Sequence, residues 1–235
     1  MRVSSGVRGF DSLVDGGLPA GRLYIVSGPP GSGKTTFTAH FLTQGAQQGE
    51  KCFYLSMHES KDELVNDMGN YQFDFAKYMN TDRIEFLNVF ANQGQRVMAQ
   101  SGGGQSGPID VQDLANKIIS YAESEGTDRI VIDSMMLLEH FFEETSENVI
   151  QFLTSLKQTD ATVLLISETT DPASYSDEHY LAHGVIFLHN YLDGDGMTRG
   201  IQIVKMRGTP IDCDIRQISF SDRGLRVEPS AKVKA

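Results

Sequence analysis

Cysteine, positive charge and long apolar runs are all scarce in this chain. It has two cysteines in 235 residues, Cys52 and Cys213. Each falls in a strand-like run, far from the other in sequence. Two small buried thiols of a reducing compartment are therefore expected, not a disulfide framework. Twenty Lys and Arg stand against 31 Asp and Glu, a formal charge of -11. A protein that coats nucleic acid needs clustered cations to neutralise phosphates, so binding to nucleic acid is not expected. The acidic balance serves solubility instead. No apolar run approaches the roughly 18 residues that cross a bilayer, and no secretory signal opens the chain. A cytoplasmic protein without a membrane span is expected.

What is present is ordinary globular material, 40% hydrophobic and 22% charged, in a length that suits one α/β domain. Strand-like runs occur at 22–28, 51–57, 83–90, 128–134, 161–167 and 183–190, short and rich in Val, Ile, Leu and aromatics. Several are continuously apolar, as strands covered on both faces should be. Between them, Val111, Leu114, Ala115, Ile118, Ile119 and Ala122 share one helical face, and so do Val149, Phe152, Leu153 and Leu156. Alternating strands and helices imply a mainly parallel sheet flanked by helices. Near the end, 200–208 and 214–229 read as strands joined by short turns, which predicts a C-terminal antiparallel extension. One domain over 1–230 is expected, with 91–108, rich in Gly, Gln and Ser, as a mobile loop and 231–235 as a frayed tail.

The segment GPPGSGKTT carries the chemistry. Gly28-x-x-x-x-Gly33-Lys34-Thr35 satisfies the P-loop pattern, after an apolar strand and before the helical TTFTAHFLTQGA. Across Gly28, Pro29, Pro30, Gly31, Ser32, Gly33, Lys34, Thr35 and Thr36, the glycines let successive N–H groups turn inward. The following helix adds its positive end, which makes an anion nest. Lys34 is placed to reach the β- and γ-phosphates of ATP, and the Thr35 hydroxyl to ligate Mg2+. Asp133 ends the apolar run RIVID, where a carboxylate faces the ligand crevice of an open α/β sheet. It is the expected second magnesium ligand.

Together with KMRGTP at 205–210, these motifs make the chain resemble the KaiC-like branch of the RecA superfamily of P-loop ATPases, in a single-domain form. The similarity runs from RGFDSLVDGGLPAGRLYIVSGPPGSGKTTF to IQIVKMRGTPIDCDIRQISFSDRGLRV. It implies a homo-oligomer, a hexameric ring with Mg-ATP at each subunit interface, which regulates a protein partner. It further implies that Lys205, Met206, Arg207 and Thr209, with Ser221 and Asp222, act on the neighbouring subunit's nucleotide. Lys205 and Arg207 lie two apart on a strand, hence on one face, and such a pair suits a γ-phosphate.

The family's usual glutamate pair is His58-Glu59 here, and Ile211 replaces a frequent histidine. Glu59 is the expected base, with His58 as the alternative near neutral pH. Three functions stay open: a slow ATPase, an ATP-binding interaction module with little hydrolysis, and an accessory resembling the RadA paralogues that acts on DNA. Loop 91–108, with Arg96 its single basic residue, offers little for a nucleic-acid strand. His179 and His183, four apart, are read as part of a helix leading into a strand, with no metal assigned. Phe141, Phe142, Met135 and Met136 are read as core or interface residues.

Overall fold

The computed structural model describes residues 1–89, 111–136, 146–174, 176–193 and 196–233. The segment 91–108, and Phe141 with Phe142, lie outside them. A short strand pair, β1 (Arg2–Val3) with β2 (Leu18–Pro19), leads into the main sheet. Its strands are β3 (Leu23–Ser27), β4 (Cys52–Ser56), β5 (Ile84–Asn88), β6 (Arg129–Asp133), β7 (Thr162–Ser167), β8 (Gly184–Asp193), β9 (Gly196–Met206), β10 (Arg216–Ser221) and β11 (Gly224–Lys232). The spatial order is β11-β10-β9-β8-β3-β7-β6-β4-β5. From β8 to β5 all neighbours are parallel, and β8 through β11 pair antiparallel. Both halves of the expected architecture are therefore present.

Alternation along each parallel strand explains the two layers. Tyr24 and Val26 point to one side, where they join Phe37, Phe41 and Leu42 of α1 (Lys34–Gln47), Leu64 of α2 (Lys61–Met68) and Met79 of α3 (Phe75–Asn80). Leu23 and Ile25 point to the other, toward Leu114 and Ile118 of α4 (Val111–Glu125) and Phe152 and Leu156 of α5 (Ser146–Leu156). A short helix, α6 (Asp177–Leu181), precedes β8. Strands covered on both sides have no solvent face, hence their unbroken apolar runs.

Three expectations need correction. Strand β11 extends to Lys232, which pairs with Arg216 beyond a register shift and whose ammonium pairs with Asp214. Fraying from 231 was thus placed too early. Cys52 is buried, and burial pushes its thiol up to about 12. Cys213, by contrast, is exposed, because it falls in the irregular link between β9 and β10. Finally, α6 ends at Leu181, so His179 and His183 share no helical face; His183 instead accepts the Leu23 N–H on Nδ1 at 3.2 Å.

Arg129, fully buried at the start of β6, ties the layers together. It donates to Ser4 O at 2.7 Å, Phe41 O at 2.8 Å and Gln48 Oε1 at 3.2 Å, and it pairs with Glu50. Arg129→Met keeps the packing volume but strands the buried Phe41 carbonyl, the partly buried Ser4 carbonyl and a carboxylate. It is expected to cost about 3 kcal/mol of stability, read as a lower urea midpoint with an unchanged slope. A midpoint equal to wild type would show that the network contributes nothing net.

Candidate nucleotide site

Strand β3 ends at Ser27, and the next residues build the loop. Gly28 has φ 147°, and a Cβ there would lie 2.2 Å from Leu188 O. Gly33, at φ 103°, would drive a Cβ to 2.4 Å from the Phe220 ring. Only glycine fits either place. Gly33 also gives α1 no side-chain cap, so the helix's first N–H groups remain available to an anion.

Lys34 is 7% exposed and folds back over the loop, donating to Gly28 O at 2.8 Å and Pro29 O at 3.1 Å. Burial lowers its pKa, opposed by the nearby carboxylates of Glu168 and Asp133. Asp133 is 3% exposed and accepts from the Tyr54 hydroxyl at 2.6 Å. Burial raises its pKa, while the Tyr54 hydrogen bond, His58 and Lys34 pull it down. A buried carboxylate surrounded by such groups suits a divalent cation. Ser32 Oγ lies buried in the loop with no partner, as a phosphate cradle would leave it.

These groups open on a cavity of about 470 Å³. Pro30, Gly31, Gly33, Lys34, Thr35 and Thr36 form its floor, and Asp133 and His58 its far wall. One strand, β7, separates the loop strand β3 from the acidic strand β6. Glu168 follows β7's last residue and also lines the cavity, although the sequence reading passed it over. The strand-end logic that picked out Asp133 applies equally to Glu168. Tyr71, Arg199 and Phe220 line it too, and they were unseen for another reason. Only the sheet order brings Arg199 of β9 and Phe220 of β10 above the loop, and Tyr71 enters from the link between α2 and α3.

His58 and Glu59 follow β4. Glu59 O accepts from Ser56 Oγ at 2.8 Å and from Asn88 Nδ2 at 2.7 Å, which fixes the turn. Glu59 Oε1 stands 3.5 Å from His58 Nε2, and this contact raises the His58 pKa despite some burial. His58 faces the cavity, and Glu59 is not among its lining residues.

The second set of residues is divided. Because β9 runs against β3, Lys205 and Arg207 lie toward the amino ends of the parallel strands. Met206 pairs with Gly184, which pairs with Tyr24. Arg207, one residue further on, is level with Leu23, which places it about 16 Å below Gly28 along the strand direction alone. Lys205 Nζ donates to His179 O and Tyr180 O, and Arg207 Nη2 to Tyr180 O, all at 2.9 Å. Met206 is a core side chain, and Thr209 is buried and accepts from Arg2 at 3.2 Å. Ile211 packs against the core. Strand β10 runs the other way, so Ser221 and Asp222 sit at the P-loop end, beside Phe220. The two sets therefore occupy opposite ends of the sheet.

A phosphate nest opening α1, with an acidic strand end beyond one intervening strand, is the arrangement of a P-loop ATPase of the RecA superfamily. A family model described as "ATPase: KaiC" matches residues 3–232, and the chain belongs to that family. It is 27% identical to the KaiC-like protein PH0186 of Pyrococcus horikoshii OT3, whose crystal structure superposes with a TM-score of 0.82 over 97% of this chain and 99% of that one. It is 26% identical to the circadian clock protein KaiC3 of Synechocystis, over 88% of this chain and 41% of the relative. Its identity to the circadian clock oscillator protein KaiC of Synechococcus elongatus is 26%, over 95% of this chain and 43% of the relative. The chain thus spans less than half the length of those curated relatives. Among the described residues, no helix is long and apolar enough to cross a membrane.

Proposed function

We propose that the protein is a slow, magnesium-dependent ATPase that assembles as a homo-oligomeric ring, six-membered as the family resemblance implies, with each ATP at a subunit interface. Its nucleotide-dependent shape would regulate a protein partner. One observation carries the reading: a cluster of cations lies at the end of the sheet away from the chain's own P-loop. Lys157 and Arg207 both act on Lys205 as like charges, and Lys157, Arg22 and Arg207 do so on His183. Arg22 also donates to Arg207 O at 2.8 Å. In a chain of net charge -11, gathering these cations costs repulsion that an incoming triphosphate would relieve. They point away from the chain's own site, so that triphosphate belongs to another copy. Thr35 and Asp133 would hold the magnesium, which supplies charge neutralisation on the phosphates when bound.

The experiment follows particle mass with and without Mg-ATP while recording phosphate release. A shift to a six-chain species with slow release is expected. Arg207→Ala should cut turnover at least about 10-fold and leave the nucleotide affinity of the separated chain unchanged. A chain that stays monomeric at full turnover would overturn the ring. A ring that forms without releasing phosphate would favour an interaction module glued by ATP, the reading that the His58–Glu59 contact supports.

A further inference from the structure

Glu178 and His179, each 4% exposed, sit on α6, a helix of only five residues. Burying a carboxylate beside an imidazole costs free energy unless both are held by partners. The partners are present. Glu178 Oε1 accepts from Ser167 Oγ at 3.0 Å and stands 3.7 Å from His179 Nδ1. His179 Nδ1 accepts the Ser176 N–H at 3.3 Å and lies 2.7 Å from Ser176 Oγ. A ring nitrogen that accepts a backbone N–H carries no proton, so the buried imidazole is neutral.

The two ends of α6 face different chemistry. Ser167 is the last residue of β7, directly before Glu168 at the rim of the nucleotide cavity. At the other end, His179 O and Tyr180 O hold Lys205 and Arg207. One turn of helix has negligible stability of its own, so its orientation is set by what tethers it. The geometry points to Ser167 and Glu178 as positioning residues: they fix α6, and through its carbonyls they fix how Lys205 and Arg207 are presented to the next subunit's nucleotide. The inference rests on the interfacial reading above.

Mixed rings separate the two ideas. Chains carrying Lys34→Ala hold ATP at least about 100-fold more weakly but supply both cations; chains carrying Arg207→Ala hold ATP but lack the guanidinium. Mixing them should give more phosphate release than the average of the separate mutants. Adding Ser167→Ala or Glu178→Gln to the Lys34→Ala chain should lower that gain about 10-fold. At ATP concentrations that leave the weakened Lys34→Ala site empty, such a loss is no direct effect on that chain's own site. Adding either change to the Arg207→Ala chain should lower the gain little, since that chain already lacks the guanidinium it would present. Melting curves and ring mass, unchanged from the parent, exclude misfolding. Equal loss from both placements overturns the relay and marks the cluster as merely structural, as does a gain that survives both. No gain in the parent mixture overturns the interfacial reading, and the relay with it.

Discussion

Lys34→Ala is expected to lower ATP affinity at least about 100-fold, measured by calorimetry in the presence of magnesium. Hydrogen bonds to charged groups contribute about 1.5–3 kcal/mol each, and the upper end of that range already corresponds to about a hundredfold. Lys34 stands at the floor of the cavity, with Asp133 and Glu168 as acidic neighbours. Without its ammonium, those carboxylates would face the β- and γ-phosphates uncompensated, so the loss exceeds that of one bond. The chain should still fold, because Lys34's partners, Gly28 O and Pro29 O, belong to a loop that can rehydrate. Affinity within threefold of wild type, in a protein that melts normally, would remove Lys34 from the phosphate site.

How much of this could be read in the sequence depends on how local each feature is. The P-loop was legible because its constraints lie within nine residues: a strand, glycines where a Cβ would collide, and a helix start. The parallel strands were legible because double-sided burial leaves unbroken apolar runs, as in RIVID and TVLLIS. Asp133 followed from strand-end logic. Glu168 obeys the same logic but lacks a motif of its own, so nothing singled it out. Arg199 and Phe220 come together only through the sheet order, which periodicity does not encode, and Tyr71 reaches the cavity from the link between α2 and α3. The separation of Ser221 and Asp222 from Lys205 and Arg207 was hidden for a related reason. Two successive reversals, β8 to β9 and β9 to β10, return the chain to the P-loop end, and residues close in sequence to KMRGTP finish at the opposite edge.

The histidine at position 58 leads to the other large effect. His58 faces the cavity and Glu59 stands 3.5 Å behind its Nε2. A water next to the γ-phosphate would therefore meet the imidazole first, with the carboxylate steadying the imidazolium that forms on proton uptake. On this geometry His58→Gln should reduce phosphate release about 100-fold while ATP affinity stays within about twofold. The pH profile checks the assignment. Contact with Glu59 raises the His58 pKa above its ordinary 6.5, and only the neutral ring can accept a proton. Turnover should therefore climb with pH through that raised value. Glu59→Gln removes the carboxylate that holds the proton, so the midpoint of the climb should move down toward 6.5 while the maximal rate falls. If Glu59 were itself the base, the outcome would differ in kind: Glu59→Gln would abolish release at every pH, and His58→Gln would leave most of it. Because a protonated His58 cannot accept a proton, the raised pKa extends the inactive range of the pair upward in pH. His58→Glu should then raise turnover below pH 7 and flatten the profile. A histidine variant with wild-type turnover and an unchanged pH dependence would place proton uptake elsewhere, with Glu168 the next carboxylate on the cavity wall.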